Sequence, residues 1–186
     1  HHPFLKFDLA ENRTADVTLA DVDGDGDLDV LVANGRHWAQ QDYVFFNAGN
    51  GKLLSALPLG EGLSASYTVQ VGDLDDDGDL DAVVVRDMLP ALYYLNKGKG
   101  KFQLAGEIAG SIGSSRSALL VDADGDKILD LVVVTRRKPD RLYKGKGNGG
   151  FGKAFELPDA GYGSTGVASG DVDSDGDMDL VIARRD

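Results

Sequence analysis

Residues 73–85 read Asp-Leu-Asp-Asp-Asp-Gly-Asp-Leu-Asp-Ala-Val-Val-Val, so that an acidic stretch runs directly into an apolar one. Aspartate occupies every second position of the acidic stretch, and Gly78 stands at its sixth position. A glycine permits a sharp turn, and a continuous β-branched run fits a strand that is covered on both faces. The stretch therefore predicts a tight acidic loop followed by a buried strand.

Versions of this stretch occur four times, at steps of 52, 49 and 49 residues. They begin at Asp21, Asp73, Asp122 and Asp171. An aromatic residue, a glycine-rich turn and an apolar residue eight positions on follow each of the first three loops. These pairs are Phe45 and Leu53, Tyr94 and Phe102, and Tyr143 and Phe151. Such regular spacing identifies a repeat protein.

Each repeat unit predicts four short strands, A to D. In the second unit, residues 66–72 alternate and form strand A, 82–85 form strand B, and 92–95 form strand C. Residues 96–101 form a hairpin turn whose glycines supply positive φ, and Phe102 begins strand D. Repeated four-stranded units of this length are typical of β-propeller blades. The alternative is a β-sandwich of unrelated strands, which does not require equal spacing.

The predicted fold is therefore all-β, with residues 1–186 forming a single segment of a β-propeller built from antiparallel blades. The segment divides into a D strand at 3–9, complete blades at 14–60, 64–110 and 114–160, and a partial blade at 164–186. Only strands A and B of the last blade are present. We expect a piece of a longer propeller or closure through another copy, in a ring of about seven or eight blades. An unusually small ring is the third option.

The acidic loops carry the candidate metal ligands. Twenty of the 31 acidic residues lie in them, and carboxylates so close together repel unless a cation lies among them. Ca²⁺ takes about six to eight oxygen ligands, whereas Mg²⁺ demands a tighter octahedron and Zn²⁺ prefers His or Cys. We expect about four Ca²⁺ ions, one per loop. The candidate ligands are Asp21, Asp23, Asp25, Asp27 and Asp29; Asp73, Asp75, Asp77, Asp79 and Asp81; Asp122, Asp124, Asp126, Ile128 and Asp130; and Asp171, Asp173, Asp175, Asp177 and Asp179. Ile128 is included because the residue at position 7 can bind through its backbone carbonyl.

Two alternatives bear on these loops. An EF-hand needs a glutamate at position 12 between two helices, but that position holds an apolar residue in a predicted strand in every repeat. These residues are Val32, Val84, Val133 and Ile182. Solvated acidic turns without an ion remain the other alternative. Lys127 replaces the position-6 glycine of the third loop, so we expect that loop to bind calcium most weakly or to adjust its backbone.

These motifs closely resemble FG-GAP/VCBS repeats, which build the propellers of integrin α-subunits and occur in many exported bacterial proteins. The resemblance rests on Gly72-Asp73 through Val85 and on Leu142-Tyr143 through Phe151. It implies a propeller, commonly seven-bladed, with calcium in the hairpin loops that join strands A and B. The implied ligands are the aspartates at positions 1, 3, 5 and 9 of each loop.

The face opposite the acidic loops is the candidate ligand-binding face. In a blade, the B–C and D–A connections lie there. The candidate residues are Arg36, His37, Trp38, Arg86 and Arg136, with Arg116 and Tyr162 as further candidates. An exposed aromatic ring beside Arg and His suits a sugar, an acidic glycan or a protein loop. The alternative is that Trp38 packs over the rim and that the arginines are solvated.

The sequence thus predicts a calcium-stabilised extracellular binding or adhesion module that is not an enzyme. Its partner would be a protein or a glycan, with no nucleic acid and no membrane insertion. A purely structural assembly element and a lyase-like, polysaccharide-active enzyme using His37 with Tyr and Arg are the alternatives. Sites of this kind work best where calcium is millimolar, which favours a secreted, cell-surface or periplasmic location.

Overall fold

The computed structural model describes residues 12–49, 51, 53–158 and 163–185. Over these residues the chain is all-β, and no helix there is long and apolar enough to cross a membrane. The strands are β1 Thr14–Ala20, β2 Asp29–Asn34, β3 Tyr43–Asn47, β4 Leu53–Pro58, β5 Ser66–Gly72, β6 Asp81–Arg86, β7 Leu92–Asn96, β8 Phe102–Glu107, β9 Ser115–Val121, β10 Asp130–Thr135, β11 Arg141–Gly145, β12 Phe151–Glu156, β13 Ser164–Gly170 and β14 Asp179–Arg184.

The strands form antiparallel sheets in chain order, as blades require. Strands β1 to β4, β5 to β8 and β9 to β12 make three four-stranded sheets, and β13 pairs with β14. The first strands of successive sheets contact one another in the order β1, β5, β9, β13. The predicted order of strands A to D is therefore confirmed, and the sheets are propeller-like. The predicted strand at 3–9 lies outside the described residues.

The core lies between successive sheets, and the second strand of each complete sheet is buried on both faces. Along β6, Ala82 and Val84 pack against the first sheet, while Val83 and Val85 pack against the third. In β10, Leu131 and Val133 face the second sheet, and Val132 and Val134 face the fourth. The alternation of strand residues between two apolar interfaces explains why these strands are continuous apolar runs.

A β-bulge occurs at the second residue of the first strand in every sheet. In the second sheet, Ser66 pairs with Arg86 and Thr68 with Val85, which leaves Tyr67 without a partner residue. The four bulged residues are Ala15, Tyr67, Arg116 and Thr165. A bulge redirects a side chain away from the alternation of its strand. All four lie at the end of the strand remote from the acidic loop.

Candidate metal centres and the opposite end of the strands

The first aspartate of each acidic loop folds the loop back on itself. In the second loop, Asp73 accepts hydrogen bonds from the backbone N–H of Asp76 at 2.8 Å and of Gly78 at 3.0 Å. In the first loop, Asp21 accepts from Gly24 and Gly26, both at 2.9 Å. These bonds need left-handed backbone at positions 4 and 6 of the loop, where φ is 60° at Asp76 and 89° at Gly78.

The ninth aspartate ties the loop to the sheet. Asp81 is fully buried; its Oδ2 accepts from Leu74 N at 2.9 Å and its Oδ1 from Asn96 N at 2.8 Å. Asp29 accepts the equivalent bonds from Val22 N at 3.0 Å and Asn47 N at 2.8 Å. Because the donors come from the loop and from the third strand, this carboxylate fixes the position of the loop against the sheet.

Carboxylate oxygens converge within each loop. In three loops the oxygens of positions 1, 3 and 9 lie within 4.8 Å of one another. These groups are Asp21, Asp23 and Asp29; Asp73, Asp75 and Asp81; and Asp171, Asp173 and Asp179. The third loop instead brings together positions 1, 3 and 5, which are Asp122, Asp124 and Asp126. The carboxylates predicted at position 5 of the other three loops, and Asp130 at position 9 of the third loop, lie outside these groups. The ligands predicted at position 7 would bind through backbone carbonyls, so they do not enter a grouping of carboxylates.

The electrostatics of the second loop fit a cation. Asp75 Oδ1 is buried and has no hydrogen-bond partner among the described residues. Burial, followed by the charge of Asp77, raises the pKa of Asp75, and the Lys97 ammonium, 3.9 Å from Asp75 Oδ2, only partly opposes this. Burial raises the pKa of Asp81 to about 6 despite its two backbone hydrogen bonds. A hard cation would satisfy the unpartnered oxygen and relieve the repulsion, and a donor set made only of oxygens suits Ca²⁺.

The third loop contains its own cation. The Lys144 ammonium pairs with the Asp124 carboxylate and holds the pKa of Asp124 below its ordinary value. Lys127 takes the left-handed conformation of the glycine that it replaces, with φ of 70°. The backbone has therefore not moved out of the left-handed region. Lys144 was not among the residues predicted from the sequence, although a comparison of the repeats shows that it replaces Phe46 and Leu95.

The fourth loop repeats the geometry of the first two in an exposed setting. Asp179 Oδ2 accepts from Val172 N at 3.0 Å, and Asp171 accepts from Gly176 N at 3.1 Å. Asp171, Asp173 and Asp179 are all exposed. In the first three sheets, the aspartate equivalent to Asp179 also accepts a hydrogen bond from a backbone N–H of the third strand. The described residues of the fourth sheet form two strands, so they include no third-strand donor for Asp179.

A basic cavity lies at the opposite end of the strands. It has a volume of about 390 Å³ and is lined by Ala15, Arg36, His37, Tyr67, Arg116, Arg136, Thr165 and Arg185. All four bulged residues are in this lining. Arg36, His37, Arg116 and Arg136 were candidates from the sequence, and Arg185 belongs to the basic loops predicted on this face. Ala15, Tyr67 and Thr165 were not predicted, because strand register is not visible in a single repeat.

Two further candidates lie outside this cavity, and a third is not described. Trp38 is 63% exposed, and the Arg13 guanidinium lies 5.4 Å from its ring centroid. Trp38 is thus accessible and does not pack into the core. Arg86 is partly buried, and its Nε donates to Pro90 O at 2.7 Å. Tyr162 lies outside the described residues.

The fold and the loops together define a repeat protein whose antiparallel blades carry acidic hairpin loops with the donor chemistry of metal centres. The family model of the FG-GAP-like repeat matches residues 21–84, 73–133 and 122–182 in three overlapping copies. The chain therefore belongs to the FG-GAP-like repeat family. No match to it was found among curated proteins.

Proposed function

We propose that the chain binds Ca²⁺ in its acidic loops and that the bound ions stabilise the blades. The observation that carries this proposal is the convergence of three carboxylates within 4.8 Å in every loop. Asp75 Oδ1 supports the proposal, because this buried oxygen has no hydrogen-bond partner among the described residues and could coordinate a cation. Since the position-9 aspartate also holds the third strand, an ion beside it would couple calcium binding to folding.

Thermal unfolding with excess chelator, with Ca²⁺ and with Mg²⁺ tests this role. We expect Ca²⁺ to raise Tm by several degrees at least, because a ligand that binds only the folded state adds RT ln(1 + [L]/Kd) to its stability. Mg²⁺ at the same concentration should raise it much less. An identical melt in chelator and in excess Ca²⁺ would disprove the proposal.

We further propose that the module acts in an extracellular setting and binds a protein or glycan partner at the end opposite the acidic loops. FG-GAP-like repeats are typical of extracellular proteins. The exposed indole of Trp38 beside Arg13 supports this proposal, because aromatic and Arg side chains dominate binding energy at interfaces. Binding to a glycan or protein array should be lost in Trp38→Ala and kept in Val172→Ala, which truncates an exposed side chain in an acidic loop. Equal binding by both variants and the parent would contradict the assignment.

A polysaccharide lyase is the second candidate function. His37 Nδ1 lies 3.1 Å from Tyr67 Oη, and arginines line the same cavity. In β-elimination a base removes the proton next to a uronate carboxylate, and a guanidinium stabilises the negative charge that develops on that carboxylate. A carbon–carbon double bond then forms as the C–O bond to the leaving sugar breaks, and an acid or water gives the leaving oxygen a proton. Unsaturated sugars formed from a polyuronate, and absent with Tyr67→Phe, would establish this activity. No product over a panel of polyuronates would exclude it.

A further inference from the structure

The basic cavity brings together guanidinium groups from three sheets. Arg36 follows β2, Arg116 is the bulged residue of β9, and Arg136 and Arg185 follow β10 and β14. Arg136 and Arg185 occupy the same position of their repeats, one residue beyond the second strand. The repeat therefore directs side chains of one charge toward a common space, as the acidic loops do at the other end.

Described acidic residues compensate little of this positive charge. Within the part of the chain that the structure describes, the cavity lining contains no carboxylate. Among the residues that the structure describes, no ion pair involves Arg36, Arg136 or Arg185. The one neutralised member is Arg116, whose Nη1 lies 3.0 Å from Asp87 Oδ1. Several guanidinium groups held together without acidic partners favour an anion among them.

Arg116 is also held in place before any ligand arrives. Its guanidinium carbon lies 4.3 Å from the centroid of the Tyr67 ring, and its Nη1 donates to Ser115 O at 2.7 Å. Its side chain is only 16% exposed. The Tyr67 hydroxyl in turn contacts His37 Nδ1 at 3.1 Å. A fixed, partly desolvated guanidinium recognises an oxyanion at low entropic cost, because little side-chain freedom is lost on binding.

We propose that this cavity binds the sulfate or carboxylate group of an acidic oligosaccharide. Arginine forks match the two oxygens of such a group, and the cavity volume of about 390 Å³ lies within the range for small-molecule sites and exceeds the need of one inorganic ion. Tyr67, Thr165 and His37 supply hydrogen-bonding groups that suit sugar hydroxyls. This inference deepens the proposed binding function and rests on it, since it names the chemical class of the partner.

Calorimetric titration of the calcium-loaded protein tests the inference. A sulfated tetrasaccharide is the main probe, because carboxylated sugars also bind free Ca²⁺; a neutral tetrasaccharide and inorganic sulfate are the comparisons. We expect the sulfated sugar to bind at least tenfold more tightly than either. Equal binding of the neutral sugar would overturn the role of charge, and equal binding of inorganic sulfate would overturn the saccharide assignment.

Arginine variants locate the site. Arg136→Gln and Arg185→Gln should each weaken binding of the sulfated sugar at least tenfold. Arg137→Gln is the matched control, because Arg137 is exposed, follows Arg136 directly and does not line the cavity. An equal loss in all three variants would indicate a diffuse charge effect and would overturn the site. Trp38 does not line the cavity, so array binding that Trp38→Ala abolishes and Arg136→Gln leaves unchanged would overturn the cavity assignment while the proposed partner binding stands.

Discussion

The Ser66 hydroxyl donates a 2.7 Å hydrogen bond to Asp42 Oδ2 and thereby joins the second sheet to the first. The other Asp42 oxygen accepts from Asn34 N at 2.7 Å, so both oxygens of this buried carboxylate are used. The third and fourth sheets are joined in the same way, since Ser164 donates to Asp140 at 2.6 Å. These bonds form a recurring polar link between blades.

The junction of the second and third sheets lacks this link. Ala91 stands where the other repeats have aspartate, and the buried Ser115 hydroxyl has no hydrogen-bond partner among the described residues. Removing Ser66 would leave a buried carboxylate oxygen unpaired, which typically costs about 1–3 kcal/mol. We therefore expect Ser66→Ala to lower the free energy of unfolding by about that amount in chemical denaturation. Ser115→Ala is the matched control and should cost much less, so equal losses would refute the link.

The stability of the chain should depend on the ionisation of Asp42. Burial raises the pKa of Asp42 from 3.8 to about 6, and its hydrogen bonds to Asn34 and Ser66 only partly oppose this. The unfolded chain therefore releases this proton at lower pH than the folded chain. The unfolding free energy should then fall as pH rises from about 4 to about 6, by up to about 3 kcal/mol from this group.

Asp42→Asn removes this titration and keeps one acceptor for Asn34 N and a donor for Ser66. The unfolding free energies of parent and variant can be measured in denaturant across pH 4 to 7. As pH rises, the variant should become more stable relative to the parent, because only the parent loses stability through Asp42. Other carboxylates titrate in both proteins, so the difference isolates Asp42. Parallel curves for the two proteins would show that burial does not perturb this group.

Sequence periodicity predicted the order of strands and the burial of the second strands, because both follow from apolar patterns within one repeat. The position of each bulge was not predictable in the same way. Tyr67 and Arg116 look like ordinary alternating residues, and only the pairing with the following strand shows that each is extra. The cavity that these side chains line was therefore not predicted from the sequence, although Arg36 and His37 were candidates because of the loop in which they lie.

The sequence predicted where the acidic loops lie, but not which carboxylates come together within each loop. The regular aspartates predict convergence, and positions 1, 3 and 9 converge in three loops. The exception is the third loop, where Asp124 pairs with Lys144, a residue 20 positions along the chain that reaches it only once the hairpin has formed. The left-handed backbone at Asp76 and Ser174 was likewise not predictable from the sequence, because neither residue is a glycine.

The third loop should contribute least to calcium affinity. Lys144 already neutralises Asp124, so an ion there must displace an ammonium group. By calorimetry we expect Asp75→Ala to remove one of the tight binding events, because it deletes a carboxylate of the second group. Asp124→Ala should leave the tight events unchanged. A large loss of the tightest binding in Asp124→Ala would contradict this ranking.

Replacing Lys144 should strengthen calcium binding in the third loop. Lys144→Leu installs the residue of the equivalent position in the second sheet, Leu95, and frees Asp124 for an ion. We expect calorimetry to gain a tight binding event and the calcium-dependent rise of Tm to increase. Lys146→Leu is the control, because it removes an exposed lysine of the same hairpin that has no ion pair to the loop among the described residues. The same gain in both variants would indicate a change of net charge rather than a released ligand.

Backbone strain and charge at Lys127 can be separated by two substitutions. A non-glycine residue in left-handed backbone costs roughly 1 kcal/mol, and Lys127 has φ of 70°. Lys127→Gly relieves the strain and removes the ammonium, whereas Lys127→Ala removes the ammonium alone. We expect the glycine variant to be more stable than the alanine variant in chelator, where no ion contributes. In Ca²⁺ both should bind more tightly at the third loop than the parent, since each lowers the local positive charge. Equal stability of the two variants in chelator would mean that the loop relaxes around a side chain at this position, and that Lys127 acts on calcium through its charge alone.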